Sequence, residues 1–183
     1  MATVEPIRDK YLIKDICNYL KKNNERNYIL FLFGIHTGLR ISDILQIRIY
    51  DIKDKSYIDI SEQKTNKKTR VFINSELKKE IKKYTKDKDP DEYLIKSRVG
   101  YNKPIDRSTA YKILRDIGDK FNIKNIGCHT LRKTWAYSYY KETKDLAIIQ
   151  DILNHSDLSI TKRYLGLNMD TREQAYKRLR FLD

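Results

Sequence analysis

The chain has 183 residues, with 38 lysines and arginines against 25 aspartates and glutamates, a formal net charge of +13. That length is enough to bury one good core, and residues 1–183 read as a single domain with no clear linker. The cationic excess points to a polyanionic partner. A mean hydropathy of −0.71, no long apolar run and no signal-peptide pattern exclude a membrane-spanning reading and make a cytoplasmic location the expectation.

The two cysteines, Cys17 and Cys128, lie far apart without metal-ligand spacing and read as reduced packing residues. With histidine only at His36, His129 and His155, a zinc site is not expected. The chain has no glycine-rich phosphate loop and no internal repeat.

Ile7 to Lys22 carries Ile7, Tyr11, Leu12, Ile16, Tyr19 and Leu20 at helical spacing, and Asn23-Asn24 breaks that pattern. A more apolar core helix is predicted from Arg26 to Thr37, closed by Gly38. Arg40 follows at once, and Ser42-Asp-Ile-Leu-Gln-Ile47 reads as a further short helix. Arg48-Ile-Tyr-Asp-Ile52, Ser56-Tyr-Ile-Asp-Ile60 and Thr69-Arg-Val-Phe-Ile73 have the β-branched and aromatic content of strands. With the polar Gln63-Lys-Thr-Asn-Lys-Lys68 between the last two, they predict a small antiparallel sheet with a basic hairpin tip.

Ser75 is the expected cap of the next helix, and Lys86 to Asp91 a polar loop. Tyr93-Leu-Ile95 reads as a brief strand, and Lys96 to Ile105 as connection. Asp106 or Ser108 should start a helix running to about Phe121. After Gly127, His129-Thr-Leu-Arg-Lys-Thr-Trp-Ala-Tyr137 is again helical, with Trp135 assigned to the core. Asp145 to Leu153 has helical apolar spacing closed by Asn154, Ser156 or Asp157 should cap another helix, and a last basic helix is predicted from about Thr171 to Phe181. The fold class is therefore α+β, mostly helical with one small antiparallel sheet.

His155 and Tyr164 stand nine positions apart, across a helix end, a turn and a new helix start. A phenol on a lysine- and arginine-rich element is a competent nucleophile toward a phosphodiester when other cations gather round the same phosphorus. Candidate cations lie upstream. His129 and Arg132 are three apart on a helix start and share a face. Arg40 follows a helix-ending glycine. Taken singly these spacings are weak, and Tyr164 is one of fourteen tyrosines.

The ordered set is more informative: Thr37-Gly-Leu-Arg40-Ile-Ser-Asp43, a lysine hairpin, His129-Thr-Leu-Arg132, Leu153-Asn-His155, then Tyr164. This set resembles the tyrosine recombinases, the phage-integrase family of DNA strand-exchange enzymes, from about residue 7 to the end. The resemblance implies the catalytic-domain fold of that family. It implies Arg40 and Arg132 as clamps on the scissile phosphate, Tyr164 as the nucleophile that forms a 3′-phosphotyrosyl link, and Lys64 as the acid that protonates the leaving 5′-oxygen. His129 would shuttle a proton, His155 would donate a hydrogen bond to the transition state, and Asp43 would steady the arginines. Lys67, Lys68, Arg70, Lys133 and Arg163 are the candidate DNA contacts.

Asn154 stands where the family commonly has glycine, a position where asparagine tolerates the left-handed conformation. The family's usual amino-terminal core-binding and arm-binding domains are not expected within these residues. The implied function is site-specific recombination serving integration or excision of a mobile element. Duplex DNA is the expected partner, with a homo-oligomer, a tetramer, assembled on it, possible accessory DNA-bending proteins and a bacterial, DNA-associated location. No metal and no cofactor are implied, and no membrane is involved. Two alternatives are a non-catalytic DNA-binding or regulatory module that keeps the fold, which would leave no covalent adduct, and a topoisomerase of type IB chemistry, which would relax supercoils without pairing sites.

Overall fold

The computed structural model describes residues 4–61, 68–167 and 176. It divides into two compact units, Met1–Trp135 and Ala136–Asp183.

The first unit opens with α1 (Lys10–Asn23) and α2 (Glu25–Thr37). The first helix begins three residues later than the apolar stripe suggests, because Asp9 caps it by accepting from the Tyr11 amide at 2.8 Å. Asn24 ends the first helix and caps the second, accepting from the Asn27 amide at 3.2 Å. Nearly the whole length of α2 is buried, including Phe31 and Phe33, which makes it the central helix of the unit. Gly38 closes it in the left-handed region, with φ of 64°.

Next come α3 (Ile41–Ile44) and α4 (Ile49–Ile52). The second of these overturns the expected strand at Arg48 to Ile52. The Asp51 carboxylate accepts the Arg48 amide at 2.8 Å, while the Ile49 and Tyr50 amides donate to Glu92 and Pro90, both at 2.9 Å. Those partners turn a stretch with three β-prone residues, Ile49, Tyr50 and Ile52, into one helical turn, with Ile49 and Ile52 buried.

The sheet is consequently two-stranded. β1 (Tyr57–Ser61) and β2 (Lys68–Phe72) pair antiparallel in the register Tyr57 with Phe72 through Ser61 with Lys68. Ile58 and Ile60 face the core. Tyr93 forms only an isolated bridge with Arg48, not the brief strand expected there. α5 (Ser75–Tyr84) is capped by Asn74, which accepts the Leu77 amide at 2.9 Å, so the expected Ser75 lies one position inside the helix. α6 (Arg107–Lys120) is capped by Asp106 as expected.

α7 (Thr130–Thr143) follows a turn in which the Gly127 amide donates to Thr130 Oγ1 at 3.0 Å and the Thr130 amide donates back to the Gly127 carbonyl at 2.9 Å. Its first turns pack on α2. A Cβ on Gly34 would lie 2.5 Å from Leu131 Cδ1, so only glycine permits that approach. The division between the two units falls inside this helix.

The second unit contains α8 (Leu146–Leu153), capped by Asp145, and α9 (Leu158–Leu165), capped by Asp157. Asn154 takes φ of 54° between them, the left-handed close expected from the sequence. The basic helix expected from Thr171 to Phe181 lies outside the described residues, Tyr176 excepted.

Candidate active site

Arg40 is the N-cap residue of α3, half-buried, two positions after the left-handed glycine that ends α2. Gly38 is held from both sides. Its amide donates to the Gly34 carbonyl at 3.1 Å, and a Cβ there would meet the Trp135 ring at 2.7 Å. Trp135, expected in the core, is half-buried and covers this turn.

Arg132 is 5% exposed, and its Nη1 donates to the Gly38 carbonyl oxygen. The second candidate guanidinium is thus fastened to the backbone that carries the first. Buried guanidinium groups persist where carbonyls or anions satisfy their fork of donors, and here one donor is already committed.

His129 lies at the surface just before α7. Partial desolvation lowers its pKa first, and the cations Arg107, Arg132, Arg40 and Lys133 lower it further. Arg40 and Arg132 thus both act electrostatically on His129 within the first unit. Asp43 is 3% exposed, and its amide donates to the Arg40 carbonyl at 2.9 Å. A carboxylate so buried is retained beside donors or cations.

In the second unit, His155 and Tyr164 meet edge to face, with ring centroids 5.2 Å apart and planes at 68°. His155 Nδ1 is 3.0 Å from Oγ1 of Thr161, a residue of α9 that is fully buried. Two bonds to Gln150 fix the backbone at His155: the His155 amide donates to the Gln150 carbonyl at 3.0 Å, and Gln150 Nε2 donates to the His155 carbonyl at 3.1 Å. The Tyr164 ring is half-buried and its hydroxyl is shielded from solvent.

The remaining candidates are more dispersed. Lys64 and Lys67 lie outside the described residues. Lys68 is exposed on β2, and Arg163 is exposed on α9. Arg70 forms a two-pronged ion pair with Asp59, at 2.7 and 2.9 Å, and lies 4.1 Å over the Tyr57 ring. Lys133 is 7% exposed; burial lowers its pKa, with Arg8 acting in the same sense and Glu5 opposing.

Two participants escaped the sequence reading. Arg107 acts electrostatically on both His129 and the Cys128 thiol, lowering the pKa of each. Thr161 orients His155. Spacing gives no hint of Arg107, whereas Thr161, six residues after a histidine across a turn, is the kind of hydroxyl that such a turn brings back.

Among the described residues no cluster of histidine, cysteine and carboxylate side chains is arranged to hold a metal, and no helix is long and apolar enough to cross a membrane.

The sequence profile of the phage integrase family matches residues 9–171. This chain belongs to that family. The probable integrase/recombinase YoeC of Bacillus subtilis (strain 168) is 48% identical over 177 residues, covering 97% of each chain. The tyrosine recombinase XerA of Pyrococcus furiosus is 29% identical over 174 residues, covering 93% of this chain and 60% of XerA. Against that relative the family member described here spans well under two thirds of the length. A crystal structure of XerA recombinase superimposes with a TM-score of 0.77 at 26% identity, over 99% of this chain and 66% of that one. The fold is that of tyrosine recombinase catalytic domains.

Proposed function

We propose that this phage-integrase-family chain cuts and rejoins duplex DNA through a covalent 3′-phosphotyrosyl intermediate, with residues 1–183 acting as the catalytic domain. The observation that carries the reading is the fastening of Arg132 to the Gly38 carbonyl, two residues before Arg40, with His129 in the field of both guanidiniums.

A phosphodiester anion repels nucleophiles, and its pentacoordinate state carries further negative charge. Fixed cations lower the barrier most where that charge develops. Arg40 and Arg132 hold the non-bridging oxygens, a task for which the planar, permanently charged guanidinium fork is suited. Asp43 steadies that pair. The Tyr164 oxygen attacks phosphorus and its proton passes to His129, whose pKa is lowered by desolvation and then by the surrounding cations, which favours the neutral, accepting form.

The bond from phosphorus to the 5′-oxygen breaks, and Lys64 supplies the proton that leaves with the 5′-hydroxyl. His155, with Nδ1 engaged by Thr161, donates from Nε2 to a phosphate oxygen. Attack by the 5′-hydroxyl of another strand reverses each transfer and restores the phosphodiester, so the bond energy is conserved without a nucleotide.

The partner is duplex DNA, in keeping with the charge of +13. Lys67, Lys68, Arg70 and Arg163 are its candidate contacts, together with Lys133, which is buried. The assembly is a tetramer on paired sites, helped by accessory DNA-bending proteins, in a bacterial cytoplasm, and it serves the movement of a mobile element.

The test starts from a site recovered by rounds of binding selection on a random duplex pool. A labelled duplex carrying that site, nicked beside the cleavage position so that the freed strand diffuses away, should yield a protein–DNA adduct that survives denaturation. Tyr164→Phe should bind the duplex and leave no adduct. An adduct formed equally by that variant, or none by the parent, overturns the assignment.

A further inference from the structure

We infer that Thr134 is a positioning residue for the proton transfer at His129: its hydroxyl ties the segment 4–9, which precedes α1, to the turn from which α7 presents His129. The inference rests on the reading of His129 as proton acceptor given above and adds the residue that holds it in place.

His129 stands between two fixed points. Before it is Gly127, whose amide and carbonyl are both bonded to Thr130. After it is the first turn of α7, where the Lys133 amide donates to the His129 carbonyl at 2.9 Å. Thr130 therefore closes the turn, and it is fully buried. Its carbonyl accepts from the Thr134 hydroxyl at 2.8 Å, and the oxygen of that hydroxyl accepts the Ile7 amide at 2.9 Å. A hydroxyl has one proton and two lone pairs, so Thr134 serves both neighbours at once.

The segment 4–9 lies along the same turn. Ile7 is 2% exposed, the Glu5 amide donates to the Asn125 carbonyl at 3.3 Å, and Val4 Cγ1 lies 3.1 Å from where a Cβ on Gly127 would stand. Contacts at Asn125, Gly127 and Thr134 thus bracket His129 on both sides. Valine would fill the same outline at position 134 and leave the Ile7 amide without its acceptor. The hydroxyl, rather than the shape, carries the tie.

The place of the ring decides its chemistry. The charges acting on the imidazole are cations on three elements: Arg107 on α6, Arg40 at the start of α3, and Arg132 and Lys133 on α7. The segment 4–9 adds Glu5 and Arg8, which act on Lys133 with opposite signs. Partial desolvation and those cations hold the His129 pKa down, and both depend on where the turn sets the ring. Slackening the turn weakens both.

The experiment titrates the full chain, without DNA, by nuclear magnetic resonance of its imidazoles; the chain has three histidines, and His36→Gln and His155→Gln assign the signals. The parent's His129 midpoint should lie below the ordinary value near 6.5. In Thr134→Val it should rise toward that value by about 0.3 to 1 pH unit, and in Thr134→Ser it should return to the parent's. Ile7→Ala, which loosens the same contact from the other side, should give a like rise, and it decides the matter if the valine variant does not fold. Ile81→Ala on α5 removes an equally buried side chain, 2% exposed like Ile7, and should leave the midpoint in place. The acid limb of adduct formation should move with the midpoint in each variant. An unmoved midpoint in both Thr134→Val and Ile7→Ala, or a like rise in Ile81→Ala, overturns the positioning. Because the titration needs no DNA, a parent that forms no adduct would instead remove the reading of the chemistry.

Discussion

Arg132 donates its Nη1 hydrogen bond to the carbonyl oxygen of Gly38, 94 residues earlier in the chain. The placement of the second phosphate-binding guanidinium therefore depends on a backbone conformation at the end of α2 that glycine holds at φ of 64°. Gly38→Ala should be destabilising on two counts: about 1–2 kcal/mol for the left-handed conformation and about 1–3 kcal/mol for a methyl driven into the Trp135 ring, 2.7 Å away. Urea unfolding measures the sum. Gly38→Asn, which tolerates that φ, should retain only the packing part.

Arg132→Lys keeps the charge and loses the fork. One ammonium does not hold the Gly38 carbonyl and two phosphate oxygens together, so adduct formation should slow by about 100- to 1,000-fold while far-ultraviolet dichroism stays at the parent level. A rate near the parent's would remove Arg132 from the phosphate clamp.

Thr161→Val preserves the buried shape and deletes the hydroxyl 3.0 Å from His155 Nδ1. The lost hydrogen bond should cost about 1 kcal/mol of stability. Free to turn, His155 should support cleavage about tenfold more slowly, equivalent to about 1.4 kcal/mol of barrier, with KM little changed. Thr161→Ser should restore most of the rate. An unchanged rate in the valine variant would show that this contact does not orient the imidazole for chemistry.

Burial and the surrounding arginines and lysine hold the His129 pKa below its ordinary value near 6.5. A histidine whose folded pKa is depressed contributes stability that is present above the unfolded value and is lost as pH falls below it, because the unfolded chain then takes the proton more readily. His36, lowered mainly by burial, acts in the same direction. Unfolding midpoints should therefore decline from about pH 6.5 downward, and less steeply in His129→Gln. Asp106, Asp157 and Glu80, all with lowered values, add their losses in the more acidic carboxylate range. In kcat/KM the acid limb should lie below about pH 6.5 and move upward in Arg107→Gln. An acid limb that stays put in that variant would exclude Arg107 from tuning the proton acceptor.

Much of this architecture was legible because short-range signals and long-range packing agree. Gly38 and Asn154 both close helices in the left-handed region, and Asp106 and Asp157 cap the helices that follow them. Where the two disagree, packing wins. Ile49 to Ile52 has strand composition, yet Glu92 and Pro90 take its amides and wind it into a helical turn. Ser75 is a good cap by type, but Asn74 stands one residue nearer the end.

The site shows the same split. The ordered set of Arg40, His129, Arg132, His155 and Tyr164 stands out only through its resemblance to the phage-integrase pattern, since each spacing taken singly is weak. Arg107 does not. It acts electrostatically on His129 from a helix whose Tyr111 packs beside Gly127, a consequence of tertiary structure that no local pattern encodes.

The central claim is that one phenol of the fourteen becomes bonded to DNA. Tryptic digestion of the isolated adduct, after nuclease trimming, releases Tyr164 to Arg172, a peptide with a single tyrosine, so mass spectrometry assigns the bond directly. The expected result is a nucleotide mass on Tyr164 in that peptide. The same mass on any other peptide, with Tyr164 recovered unmodified, would contradict it.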